Sequence, residues 1–220
     1  MGFPFTSAPV SLFLALDHGD GFAAAAAVGS IASVVAQGAF ALTYARTRAL
    51  GWPAALGLAA LVFAAGALLL RAFELTPLIT AIAAWAVLVV VGRMLPPRLP
   101  SRTDVPPATP RWDLPARIVV ATALVVTLTT AAPLLGPFTS GVISGFPLYA
   151  TVLAVFAQRT VGADAAADVM RGLVAGLFGF ATFFLVIAST LPSFGIGLAF
   201  ALATGAILVV QAIALVTLRR

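Results

Sequence analysis

The sequence predicts an all-α, polytopic bundle of transmembrane helices, about eight in number, and three observations carry that prediction. Hydrophobic residues make up 62% of the chain and charged residues 9%, against about a quarter charged in soluble domains. A soluble domain of 220 residues exposes too much surface for so few charges, so lipid is the expected solvent for most of it. The apolar residues also fall into runs of bilayer length separated by Gly, Pro and Arg. Finally, a short motif occurs twice, as Pro4-Phe5-Thr6-Ser7 and as Pro137-Phe138-Thr139-Ser140. Each copy is followed at the same offsets by a serine (Ser11, Ser144) and a phenylalanine (Phe13, Phe146).

Runs able to cross a bilayer need roughly 17–25 apolar residues. On that basis the segments are 3–16, 22–45, 53–70, 77–92, 116–135, 138–157, 165–189 and 192–218. The first is short and carries Pro4 and Pro9, so it reads as a half-helix or a span; as a half-helix it leaves seven crossings. Pro53, Pro77 and Pro192 stand at or near segment starts, where the missing N–H does no harm. Residues 93–115 hold seven of the fifteen prolines and read as an extended, solvated linker. The chain therefore divides into a membrane half at 1–92, a Pro/Arg-rich linker at 93–115 and a second membrane half at 116–220.

Arginine placement orients the bundle. With every segment crossing and the N-terminus cytoplasmic, eleven of the twelve arginines fall on the cytoplasmic side and only Arg71 falls outside, as the positive-inside rule requires. The outer side receives Asp17, His18, Asp20 and Glu74. Both termini are then cytoplasmic, and the arginine- and alanine-rich composition points to the inner membrane of a bacterium with a GC-rich genome. The absence of lysine rules out Schiff-base chemistry, and the absence of cysteine rules out disulfides and thiolate sites. No cofactor is expected. The expected partners are the bilayer itself, anionic lipid headgroups at the arginine-rich linker and a second copy of the chain, with no nucleic acid.

In this topology the two motif copies enter from opposite faces, so segments one to three match six to eight as an inverted repeat. Such repeats with interrupted helices characterise transporters and channels. A broken helix frees backbone groups at membrane depth, tolerable only where protein, water or a ligand satisfies them. The candidate substrate-lining residues are therefore Thr6, Ser7, Ser11, Thr139, Ser140 and Ser144, with Tyr149 beyond them. The same hydroxyls have a packing reading, as groups bonded back to their own helices. Gln37 and Gln211 read as interhelical amides, and Gly141-x-x-x-Gly145 and Gly172-x-x-x-Gly176 as sites of close helix approach. Asp164, Asp168 and Arg171 share one helix face at spacings of four and three and read as a structural ion-pair cluster at a helix start. No carboxylate lies deep in a segment, which argues against coupling through a buried acid.

Phe146-Pro147, Gln158-Arg159-Thr160-Val161-Gly162 and then Asp164, Asp168 and Arg171 together resemble the small bacterial GlpM membrane-protein family over about residues 141–189. That pattern has His where this chain has Gln158, and His18-Gly19-Asp20-Gly21 is the matching stretch in the first half. The resemblance implies a polytopic membrane protein and no particular activity. An enzymatic alternative would use Ser140 with His18 and Asp17 or Asp20 for acyl transfer, but no nucleophile elbow, zinc-protease or phosphate-loop motif accompanies them. The expected function is transporter- or channel-like, moving a small solute through a cavity lined by two broken helices. The alternative is a non-catalytic accessory subunit of an envelope-polymer or lipid-processing complex.

Overall fold

A computed structural model describes residues 7–70, 72–73, 76–97 and 136–218, together with 115, 119, 122–123, 126 and 130; for 213–218 it describes the backbone alone. The described residues are all-helical. In chain order they form α1 (Ser7–His18), α2 (Asp20–Thr47) with a 3-10 turn at Arg48–Leu50, α3 (Trp52–Leu70), α4 (Pro77–Met94), α5 (Pro137–Ser144), α6 (Leu148–Thr160) and α7 (Ala163–Leu218). Ser7 begins α1, whereas Pro4, Phe5 and Thr6 of the first motif copy lie outside the described residues. So do most of the linker, the bulk of the 116–135 segment, and Arg71, Glu74, Arg219 and Arg220.

Five described stretches are long and apolar enough to cross a membrane: Asp20–Leu50, Trp52–Leu70, Pro77–Met94, Pro137–Thr160 and Ala163–Ala212. That length and composition suit an integral membrane protein. The expected eight is not reached, for reasons visible in the chain. The described part of segment one is a helix of 12 residues, about 18 Å at 1.5 Å per residue, shorter than the roughly 30 Å of a hydrocarbon core. Segments seven and eight run through one helical stretch, and segment five falls mainly outside the described residues.

α7 is nonetheless two helices. At Gly195 the backbone takes φ 71° and ψ 175°, a region essentially closed to residues with a Cβ. The chain doubles back there. Phe183 stands edge-on to Phe200 with ring centroids 6.1 Å apart, and a Cβ on Gly179 would stand 3.0 Å from Ile207 Cγ1.

α2 is the central helix. It packs on α1, α3, α4, α5 and α7, and most of it is buried, whereas α3 and α4 are mostly exposed. Its inward residues are mostly small: Ala23, Ala26, Ala27, Gly29, Ser30, Ala32, Ser33, Ala36 and Ala41. In lipid there is no hydrophobic force between helices, so association depends on close packing, which small residues permit. α3 and α4 lie at the periphery and turn Leu61, Leu68, Leu69, Ile79, Ile82 and Val90 outward, the face a lipid-solvated helix presents.

Directions follow from the contacts. α1 and α2 form a helical hairpin about Gly19 (φ 86°), so α1 runs antiparallel to α2. α5 and α6 run with α2: the Phe138 carbonyl sits on Gly29, Gly145 on Ser33, and Tyr44 meets Gln158. The C-terminal ends of α2, α4 and α6 therefore share one end of the bundle with the start of α7.

Candidate functional site

The sixth predicted segment is broken, and the break has a defined shape. Pro147 has no N–H to give the Ile143 carbonyl, and a residue preceding proline, here Phe146, is steered out of the helical region. The Ile143 carbonyl instead accepts Phe146 N–H at 2.9 Å. Leu148 N–H then reaches the Phe146 carbonyl at 2.7 Å across Pro147, whose φ −78° and ψ 57° are those of an inverse γ-turn. α6 restarts at Leu148. The proline of the motif, Pro137, does not break a helix but begins one.

The break frees the Ser144 carbonyl, which a continuous helix would have paired with Leu148 N–H. Ser7 of α1 supplies the missing donor: its Oγ donates to the Ser144 carbonyl at 2.9 Å. Both residues are buried. Since Gly145 lies on Ser33 of α2, the junction stands near the middle of α2, about half-way through the bundle. α1 and the interrupted sixth segment thus meet near the middle of α2.

α2 contributes the rest of the cluster. Ser30 Oγ lies 3.2 Å from the carbonyl oxygens of both Ala26 and Gly141, so it bridges its own helix to α5. Ser33 Oγ donates to the Ser30 carbonyl at 2.6 Å, and Gln37 Nε2 donates to Ser33 Oγ at 3.1 Å. The helices meet at van der Waals distance here because Gly29, Gly141 and Gly145 carry no Cβ. A methyl group on any of them would overlap, respectively, the Phe138 carbonyl, the Ala26 carbonyl or the Ser33 side chain.

The predicted lining residues divide. Ser7, Ser11, Ser140 and Ser144 are buried, with Ser7 and Ser144 in direct contact and Ser11 and Ser140 one turn nearer the Gly19 end. Ser11 donates back to Ala8, Ser140 to Gly136 and Ser144 to Gly141. Thr139 is half-buried, and Tyr149 is 51% exposed on the outer surface of the bundle, apart from the cluster. Thr6 lies outside the described residues. Ser30 and Ser33 were not singled out from the sequence; the signal for them was the run Ala26, Gly29, Ser30, Ser33, Gln37 at helical spacing. Of the residues suggested for acyl transfer, Ser140 is buried with its hydroxyl on the Gly136 carbonyl, whereas His18 is exposed against Phe22.

A second polar group closes the arginine-bearing end. Tyr44 OH donates to Gln158 Oε1 at 2.8 Å, and Gln158 Nε2 donates to the Arg48 carbonyl at 2.7 Å. Arg48 pairs with Asp164 at 3.0 Å. Arg46 reaches the Met94 carbonyl at 2.8 Å, and Arg171 holds both Asp168 and the Pro96 carbonyl. Asp164 therefore takes its partner from α2, while Asp168 and Arg171 pair within α7. Comparison of the chain with family models, curated proteins and solved structures gives no match.

Chemically, the mid-depth cluster offers hydroxyls, one amide and backbone carbonyls, with no charged group among them. Among the described residues no three His, Cys, Asp or Glu side chains gather as a metal site. Such a cluster can exchange hydrogen bonds with a small uncharged molecule and has no group with which to take a proton from it.

Proposed function

We propose that the chain is a transporter- or channel-like protein of a bacterial inner membrane, with both termini cytoplasmic, passing a small uncharged solute between two interrupted helices. One observation carries this reading: the hydrogen bond from Ser7 to the freed Ser144 carbonyl, which joins the two motif-bearing segments at mid-depth. An inverted repeat is the simplest origin for that junction. It is supported by the antiparallel course of α1 and α5, and by the matching bonds Ser11 to Ala8 and Ser144 to Gly141, each reaching back three residues. We extend the same reading to the GlpM resemblance, whose residues 146–171 run from the helix break to the Arg48–Asp164 and Asp168–Arg171 pairs.

The cysteine-free chain allows a direct test. A membrane-impermeant maleimide should label Ser140→Cys from the Asp20 side and, more slowly, Ser7→Cys from the arginine side. Ser144→Cys should label more slowly, and the lipid-facing Ala64→Cys and Ala201→Cys should stay unlabelled. If positions 7, 140 and 144 are as inert as the two controls, the hydroxyls serve helix packing and transport is excluded. That outcome would favour the second reading, a non-catalytic accessory subunit of an envelope-polymer or lipid-processing complex. The feature on its side is that each cluster serine already donates to a carbonyl.

A further inference from the structure

One face of α2, continued into its 3-10 turn, carries Ser30, Ser33, Gln37, Phe40, Tyr44 and Arg48 at spacings of three and four, which a helix stacks into a single stripe. That stripe meets the interrupted segment along its length: Ser30 at Gly141, Ser33 at Gly145, Phe40 at Phe146 and Tyr44 at Gln158. It is polar at both ends and interrupted once. At the interruption Phe40 is fully buried, and Phe146 stands edge-on to it with centroids 5.7 Å apart and planes at 78°. Phe146 also stands edge-on to Phe63 of α3, at 5.2 Å and 90°.

We propose that Phe40, Phe63 and Phe146 form a hydrophobic gate between the mid-depth hydroxyl cluster and the Tyr44–Gln158 pair at the arginine end, with the Gly145-Phe146-Pro147 turn as its hinge. The proposal rests on the transport reading above and assigns it a point of control. Gln37 and Tyr44 are seven residues apart on α2, about 10 Å along the axis, and the three rings stand within that interval. An apolar constriction of this kind closes a pore by excluding water, with no charge needed. Phe146 is the ring able to move. It lies in the turn rather than in a helix, it keeps part of its surface exposed, and its backbone is tied only to residues 143 and 148. Phe40 and Phe63, each inside a long helix, form the fixed seat.

The gate makes access to Gln37 from the arginine side depend on Phe146. In proteoliposomes of the full chain, an impermeant maleimide added on that side should label the exposed Arg159→Cys readily and the buried Gln37→Cys slowly. Adding Phe146→Ala or Phe63→Ala should speed labelling at Gln37→Cys on the order of tenfold or more, through the loss of edge-to-face ring pairs, and leave Arg159→Cys unchanged. The milder Phe63→Leu, which keeps an apolar side chain at the seat, should give an intermediate rate. The gate is overturned if Gln37→Cys labels at the same rate in every variant that elutes as the wild-type chain does. It is overturned equally if all three variants lose the folded peak, since the rings would then be core packing. Ser144→Cys probed from the Asp20 side separates the two hypotheses. Labelling there with no response at Gln37 removes the gate and leaves transport standing; no labelling at Ser144→Cys, Ser140→Cys or Ser7→Cys in any background removes both.

Discussion

Gly141 shows how narrow the tolerances are where α5 crosses α2. Its missing side chain lets the Ala26 carbonyl oxygen approach the α5 backbone, and Ser30 then reaches both the Ala26 and Gly141 carbonyls. The obstacle to any larger residue is backbone, which cannot rotate aside as a side chain can. Gly141→Ala should therefore push α5 off α2 and cost roughly 1–3 kcal/mol, the usual range for overpacking. Thermal unfolding in detergent should show a lower midpoint for Gly141→Ala and little change for Gly57→Ala, since a Cβ at Gly57 meets nothing within 4 Å. Equal midpoints would mean that the crossing is looser than described. The serines act through satisfaction rather than volume. Ser7 is needed at mid-depth because an unpaired carbonyl in the apolar interior costs several kcal/mol, and the Pro147 break leaves the Ser144 carbonyl without its helical donor.

At the scale of elements, punctuation was the legible part of the sequence. Pro77 was read as a helix start and is one, and the 53–70 and 77–92 segments reappear as Trp52–Leu70 and Pro77–Met94, because Gly and Pro act through local sterics that any context preserves. The boundary between the last two segments was placed at Pro192, but the chain turns three residues later, at Gly195. Proline forfeits a single helical hydrogen bond and is tolerated in the final turn, whereas the reversal itself needs positive φ. Gly195→Ala should thus strain the hairpin by about 1–3 kcal/mol and lower the unfolding midpoint, while Gly197→Ala, with nothing within 4 Å of its Cβ, should not. What the sequence hid was the face of α2. That helix is apolar and small nearly all round because it is buried on nearly all sides, so the small polar run that ends at Gln37 stood out too weakly to show that Ser30 and Ser33 face α5. Partners distant in sequence, such as Arg48 for Asp164, leave no local signal either.

For the whole molecule, charge and packing agree about which ends belong together. The sequence assigned Arg46, Arg48, Arg93, Arg159 and Arg171 to one side by counting alone. In the fold, Arg46 reaches the end of α4, Arg48 the start of α7, and Arg171 the residues just past α4. Arg93 and Arg159 occupy the last turns of α4 and α6 at that same end. Asp17, His18 and Asp20 lie at the opposite end, about the Gly19 turn. The Arg48–Asp164 pair contributes little to stability itself, since Asp164 is 59% exposed and such pairs contribute about 0–1 kcal/mol. Its value as an observation is geometric: it ties the exit of α2 to the entry of α7. Because positive charge is retained on the cytoplasmic side during insertion, reporter fusions after Arg48, within residues 93–115 and after Arg220 should all report cytoplasm. A fusion beside Asp20 should report the outside. The linker fusion is the decisive one, because the linker leaves α4 at the arginine end and carries arginines of its own. An external signal there would require either that end to face outward against the five described arginines gathered there, or α4 not to cross at all, and either result would overturn the orientation on which the labelling experiments depend.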